Sequence, residues 1–164
     1  MSAPAPPAPG YCCFLVGDEC FAVVSAGVAE VIRDGRVTRV PHAAEAVLGL
    51  LHLRGRIVPV IDMRRRLGFP PAPAEAGSAH VVLLLNDEWY SFLVDEMLDV
   101  LEVSEDRIEH PSAPAADAPR DAVTGVFAAP GRLVHFLDPQ RIVNGLGKQR
   151  DQGLHRQGAS HGGS

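Results

Sequence analysis

A repeated strand-and-turn pattern constrains this sequence more than any other feature. The segment LVGDECFAVV, followed by VAEVI, parallels LLNDEWYSFLV, followed by MLDVL. Asp18 and Val28 therefore correspond to Asp87 and Met97, each 69 positions further on. The offset is unchanged from the turn into the next segment, which indicates two copies of one β unit.

Two later hairpins repeat in the same way. VLGLLHLRGRIVPVIDMRRRL parallels VTGVFAAPGRLVHFLDPQRIV, so that Gly49 and Asp62 correspond to Gly125 and Asp138, each 76 positions further on. The larger offset requires seven further residues in the second copy. The Ala- and Pro-rich segment Pro111–Asp121 is long enough to hold them.

The repeat predicts the domain organisation. Each copy has about 60 to 70 residues and would be marginal alone, so the two copies are expected to pack as one domain. The Pro- and Ala-rich leader and the polar, glycine-rich tail are predicted to be disordered. The predicted parts are a leader at 1–10, a domain at 11–145 (first unit about 11–69, linker about 70–78, second unit about 79–145) and a tail at 146–164.

Short β-branched and aromatic runs bounded by Gly, Asn, Asp and Pro predict an all-β fold with one or two short helices. A short helix is expected at Pro41–Val47, because Pro41 suits a helix start. Glu96–Val103 has helix-forming composition, but its match to VAEVI favours a strand. The four predicted hairpins are Tyr11–Val24, Leu48–Asp62, His80–Val94 and Val123–Asp138.

Composition and charge exclude several classes of protein. The 164 residues are 46% hydrophobic with a net charge of −5, which favours neither nucleic acid nor an acidic membrane as a partner. The apolar runs are too short to cross a membrane. Three cysteines crowded near one end (Cys12, Cys13 and Cys20) are a poor disulfide framework and indicate reduced thiols in a cytoplasmic protein.

The chain carries no sequence motif of a common catalytic or cofactor site. GxxxxGK[ST], GxGxxG, GxSxG and HExxH are all missing, and the seven histidines lack metal-ligand spacing. We therefore expect no enzyme, no metal and no cofactor. One enzymatic alternative pairs Asp62 with Asp138 as a carboxylate dyad, but neither has the supporting hydroxyls, and both suit helix caps better.

The arginines form one basic concentration. It consists of Arg54, Arg56, Arg64, Arg65 and Arg66. Nucleic-acid sites combine such charge with stacking aromatics, which are scarce here. These arginines are instead expected to face acidic protein surfaces or solvent.

Taken together, GDECFAV, VAEVI, RVP, FLVDEMLDVLEV and the closing GVF…GRLVHFLD resemble the CheW-like domain family of chemotaxis coupling proteins. The most specific part is G-x3-L-R-G-x3-P-x2-D, present from Gly49 to Asp62. The resemblance implies two SH3-like, five-stranded β-barrel subdomains around a shared core. It also implies a non-enzymatic adaptor that couples the cytoplasmic tip of methyl-accepting chemoreceptors to the regulatory domain of the histidine kinase CheA.

By the same resemblance, five positions are predicted to bind these partners. Glu30 and Arg54 are expected to lie close together. Gly49 and Gly55 also suit a purely structural role in turns and close packing. The five predicted partner-binding residues are Val28, Glu30, Gly49, Arg54 and Gly55.

The sequence departs from the family pattern at several places. His52 stands where Asn is usual before Leu-Arg-Gly, and the second copy has Ala-Pro-Gly (Ala129–Gly131) at that position. An alternative of a different class is a β domain that binds a small ligand between its two halves. That reading lacks converging polar and aromatic residues that would define a pocket.

Overall fold

The structure is a computed structural model that describes residues 8–33, 35–41, 43–73, 76–111 and 120–146. These residues form eleven strands, a one-turn helix α1 and a C-terminal helix α2. In chain order the elements are β1 (Gly10–Val16), β2 (Glu19–Val24), β3 (Val28–Ile32), β4 (Val37–Arg39), β5 (Val47–Leu53), β6 (Arg56–Asp62), α1 (Met63–Leu67), β7 (Ala79–Leu85), β8 (Glu88–Val94), β9 (Glu96–Glu102), β10 (Val123–Ala129), β11 (Arg132–Leu137) and α2 (139–146).

The strands form two sheets, which confirms the all-β prediction. The first sheet has the order β10-β11-β2-β1-β9, and the second has the order β3-β7-β8-β6-β5-β4. All four predicted hairpins are present, and β9 confirms the strand expected at Glu96–Val103. SH3-like closure stays a prediction.

The duplication is visible in the strand pairing. Phe14 pairs with Phe21 in the β1–β2 hairpin, and their counterparts Leu83 and Tyr90 pair in the β7–β8 hairpin. A register shift precedes Gly49 in β5, and another precedes Gly125 in β10. The two copies therefore share registers and irregularities as well as residue types.

Each sheet contains strands from both sequence copies. The β1–β2 hairpin joins β9, β10 and β11, while the β7–β8 hairpin joins β3 to β6. In both sheets the copies meet at one parallel pair, β2 with β11 or β8 with β6, and at one antiparallel pair, β1 with β9 or β3 with β7. The two copies have exchanged their first hairpins, so neither sheet corresponds to one half of the chain.

Two details differ from the predictions. The second sheet has six strands rather than five, because the short strand β4 is added at its edge. In the described part of the second copy, the only pairing at the place of β4 is a bridge between Glu109 and Val126. The helix predicted at Pro41–Val47 is wrong. Its described residues are turns and irregular backbone before Val47 starts β5. Here the chain leads directly from one strand to its neighbour.

The apolar core has three parts. One cluster belongs to the first sheet and includes Tyr11 and Phe136, and another belongs to the second and includes Val58. The largest cluster lies between the sheets and includes Phe21 and Phe92 from opposite sides. This central cluster confirms the expected shared core.

Two aspartates begin the two helices, as predicted. Asp62 accepts hydrogen bonds from the backbone N–H groups of Arg64 and Arg65 at the start of α1, and Asp138 accepts one from Gln140 in α2. Each carboxylate is therefore used as a helix cap. Helix α2 continues to residue 146, so the predicted domain boundary at 145 falls inside a helix.

Several predictions fall outside the described residues. They concern residues 1–7 of the leader, 112–119 of the Ala/Pro-rich segment and 147–164 of the tail. The described residues contain no helix long and apolar enough to cross a membrane.

Candidate functional site

An ion pair between Glu30 and Arg54 is the central feature of the candidate site. The Arg54 Nε donates to Glu30 Oε2 at 3.1 Å, and its Nη2 donates to Oε1 at 3.2 Å. Such a two-bond pairing fixes the plane of the guanidinium. The expected proximity of these residues is therefore confirmed; their role in binding stays a prediction.

This pair joins two distant parts of the second sheet. Glu30 lies on β3, at one end of the strand order, whereas Arg54 lies in the turn between β5 and β6 near the other end. The sheet must curl for these parts to meet. The pair thus marks the end of the curled sheet rather than its flat face.

The guanidinium of Arg54 is presented to solvent. The side chain of Arg54 is 77% exposed and that of Glu30 is 29% exposed. An arginine has five N–H donors, and Glu30 uses two of them. The other three can meet a carboxylate or a carbonyl of another molecule.

The turn that carries Arg54 has an unusual backbone. Arg54 has φ +52° and Gly55 has φ +78°, as a tight two-residue hairpin turn requires. A Cβ added at Gly55 would meet no other atom, so glycine is needed there for the backbone conformation and not for space. A structural role therefore accounts for Gly55 without a partner.

Gly49 and Val28 also have structural roles. A Cβ at Gly49 would overlap the backbone carbonyl of Thr38, so only glycine lets β4 approach β5 this closely. Val28 is partly buried against the central core cluster. Of the five predicted site residues, only Glu30 and Arg54 form a polar, outward-facing contact.

The equivalent place on the other sheet lacks this ion pair. Asp99 on β9 is the counterpart of Glu30, but the counterpart of Arg54 is Pro130. Proline offers no cation to an acidic strand. The duplication has therefore produced two similar surfaces, and among the described residues only the second sheet has an arginine paired with the acidic side chain at these positions.

Exposed groups on β6, the strand that follows Arg54, were not predicted from the sequence. Ile57 is 61% exposed on β6, and Arg56 lies over the ring of Trp89 at 4.3 Å from the ring centroid. Exposed apolar side chains next to oriented charges are typical of protein interfaces. The near-continuous apolar run IVPVI obscured which of its members would face outward.

The expectation for the basic concentration is wrong for two of its members. Arg66 is fully buried, and its Nε and Nη2 donate to the carbonyl oxygens of Ile142 and Arg141. Arg64 is mostly buried against Asp95, with Nη2 to Oδ2 at 2.7 Å. These arginines hold elements of the fold together, because α1 places Arg64 against Asp95 and Arg66 against α2.

The described residues contain no group of three or more His, Cys, Asp or Glu side chains that could hold a metal. What they show is a class of protein: a two-sheet β fold with a shared core, short turns and an outward-facing ion pair.

Comparison with known proteins identifies the family within that class. The model of the CheW-like domain matches residues 10–146. The chain is 34% identical over 125 residues to the chemotaxis protein CheW of Rhizobium meliloti, covering 76% of this chain and 81% of that protein. It is 30% identical over 131 residues to the probable chemotaxis protein CheW of Rhizobium etli, covering 80% and 84%.

A solved structure has the same fold. The scaffolding protein TtCheW from Thermoanaerobacter tengcongensis superposes with a TM-score of 0.72 at 24% identity, over 80% of this chain and 89% of that one. The chain belongs to the CheW-like domain family.

Proposed function

We propose that this protein is a non-enzymatic, cytoplasmic adaptor of chemotaxis-type signalling. It binds the regulatory domain of the histidine kinase CheA and the cytoplasmic tip of methyl-accepting chemoreceptors. Family membership and the scaffolding protein of the same fold support this role. The observation that carries it at the residue level is the presented Glu30–Arg54 pair.

The pair suits binding better than folding. Exposed ion pairs contribute only about 0–1 kcal/mol to stability. Stabilising the fold is therefore a weak explanation for the fixed orientation of Glu30 and Arg54. Orientation matters far more at an interface, where charges set which partner binds and in which direction. Ile57, three residues after Arg54, is exposed and supplies apolar area that a partner can bury.

The asymmetry between the two sheets supports an adaptor with two different partners. The Glu30–Arg54 ion pair distinguishes the end of the second sheet, whereas the corresponding positions on the first are Asp99 and Pro130. Two similar surfaces with different charge can select two partners from one fold. We assign the Glu30–Arg54 surface to one partner and leave the other surface for the second.

The first test measures capture by purified fragments of the kinase regulatory domain and the receptor tip, alone and together. Arg54→Ala should lose capture of at least one fragment while its circular dichroism and melting temperature stay unchanged. The replacement is well matched, because alanine and arginine pay a similar cost at positive φ.

A pair of matched variants controls for charge alone. Glu30→Gln should weaken the same capture, since it releases the guanidinium from its fixed orientation. Asp99→Asn removes one negative charge at the corresponding place on the first sheet and should leave that capture intact. Unchanged binding by Arg54→Ala, or an equal loss with Asp99→Asn, would refute the assignment.

A further inference from the structure

A cavity of about 490 Å³ lies at the turn end of the first sheet. Its lining is mainly apolar and comes from three strands, with Leu15 on β1, Leu98 on β9 and Leu133 on β11. Cys20 on β2 also lines it, and only 4% of that residue is exposed. Pockets for small molecules usually measure about 300–1,000 Å³, so the cavity is large enough to hold one.

The second sheet shows how the equivalent place is filled when the side chain is large. By the repeat, Cys20 corresponds to Trp89, 69 positions further on, and Arg132 corresponds to Arg56, 76 positions earlier. Cys20 and Trp89 each pair directly with a leucine of the preceding strand. The two places are therefore equivalent in strand register as well as in sequence.

The indole of Trp89 has apolar groups on one side and a cation on the other. Its ring packs against the apolar cluster of the second sheet, and the guanidinium of Arg56 lies over it, 4.3 Å from the ring centroid. A guanidinium at such a distance is attracted to the face of an aromatic ring. Because cysteine is far smaller than tryptophan, Cys20 leaves to the cavity the space that an indole would take in the first sheet.

The charges around the cavity suit an uncharged ligand. Arg132 lines it, and none of the ion pairs among the described residues includes this arginine, so its guanidinium is available to lie over a ring. Asp18 and Glu19 line it as well, and Glu19 is already paired with Arg120 and His135. The two carboxylates disfavour an anion, and Arg132 disfavours a cation.

We propose that this cavity binds a small, uncharged aromatic molecule with a ring of indole size. The ring lies under Arg132 and against the three leucines, in the place that the Trp89 side chain takes in the second sheet. The chain outside the described residues contains no Phe, Tyr or Trp, so the ring comes from another molecule. This site is additional to the adaptor role, which requires no small ligand.

The test titrates the full chain, labelled with ¹⁵N, with indole and follows the shifts of its amide signals. We expect saturable binding with a Kd of about 1 mM or tighter, which is within the usual binding energy per atom for a ligand of about nine non-hydrogen atoms. Benzyl alcohol and cyclohexylmethanol form a matched pair of probes that differ only in aromaticity. Benzyl alcohol should bind at least about threefold more tightly, because only the aromatic ring attracts the guanidinium.

Three variants locate the site. Cys20→Trp supplies the ring from the chain itself and should abolish the saturable shifts while keeping the melting temperature of the parent. Arg132→Met should weaken indole binding roughly three- to tenfold. Its side chain is exposed, so this variant folds whether or not Cys20→Trp does. Arg107→Met is the control, because Arg107 lies over the ring of Phe127 and does not line the cavity; the Kd for indole should be unchanged.

Three results would overturn the proposal. They are no saturable binding of indole up to its solubility, equal affinities for benzyl alcohol and cyclohexylmethanol, and an unchanged Kd for indole in Arg132→Met. A folded Cys20→Trp that loses capture of a kinase or receptor fragment, in a chain that does not bind indole, would assign the cavity to a side chain of a partner protein and would overturn it equally.

Discussion

Replacing Arg66 by methionine should remove a buried polar contact between α1 and α2. The Arg66 side chain is completely buried between the two helices. Its Nε donates to the carbonyl of Ile142 and its Nη2 to that of Arg141, both at 3.1 Å, and Nη2 also meets Asp121 Oδ1 at 3.0 Å. Methionine fills most of the space and supplies no donor.

The size of the effect follows from these contacts. Breaking a buried ion pair costs about 3–5 kcal/mol, and a buried carbonyl left without a donor costs about 1–3 kcal/mol. The losses overlap, and Asp121 is partly exposed, so water can solvate its carboxylate. We expect Arg66→Met to lower the free energy of unfolding by roughly 4 kcal/mol, a large part of the 5–15 kcal/mol of a typical domain.

Urea unfolding followed by the fluorescence of Trp89, the single tryptophan, measures this directly. With a slope of about 2 kcal/mol per molar urea, the midpoint should fall by about 2 M. Arg65→Met is the matched control, because the Arg65 side chain is 44% exposed and its contact with Asp62 is 3.5 Å long. That variant should change stability by at most about 1 kcal/mol. Equal midpoints for the two variants would refute the reasoning.

Three further predictions concern two glycines, the histidines His80 and His135, and an aspartate. Gly49→Ala should destabilise the fold by about 2–3 kcal/mol, because the new methyl group overlaps the β4 backbone. Gly55→Ala should cost about 1–2 kcal/mol, because Gly55 has a positive φ. Urea midpoints in the reverse order would contradict this. Burial lowers the pKa of His80 and of His135, so the unfolded chain binds protons that the folded chain does not, and stability should fall as pH drops below about 6.5. The slope of unfolding free energy against pH should be smaller in His80→Asn, and an unchanged slope would count against the assignment. Asp95→Asn should cost about 1–3 kcal/mol by thermal melting, since it weakens a mostly buried charge pair; a melting temperature equal to the parent's would disprove it.

The strands could be predicted because each hairpin pattern occurs in both copies of the repeat. Turn residues at Gly17-Asp18 and at Asn86-Asp87 mark the same place in both copies, and both turns adopt positive φ. The helix predicted at Pro41–Val47 had no counterpart to support it. It rested on local propensity alone, which β4 and β5 overrode by pairing across that segment.

The exchange of hairpins could not be predicted from the repeat. An offset of 69 or 76 residues shows which positions are equivalent, but not which copy pairs with which. The burial of Arg66 was hidden for a similar reason. Its partners Arg141 and Ile142 lie far along the chain, and the run Arg64–Arg66 gives no sign of which member turns inward.

The Glu30–Arg54 contact was anticipated from a family resemblance rather than from spacing. Nothing in a separation of 24 residues indicates that the edges of a six-stranded sheet curl together. The cavity beside Cys20 was likewise not expected, because it is formed by β1, β2, β9 and β11, which lie far apart in the chain.

The exchange of the β1–β2 and β7–β8 hairpins has a mechanical consequence. Moving the first sequence copy away from the second would break backbone hydrogen bonds of β2 with β11 and of β8 with β6, as well as the core that both copies share. The chain is therefore interlocked with itself, and a nick in the stretch between α1 and β7 would leave its two fragments joined by these strand pairs. Two proteins bound at its opposite ends would be held at a distance and an angle set by this interlocking.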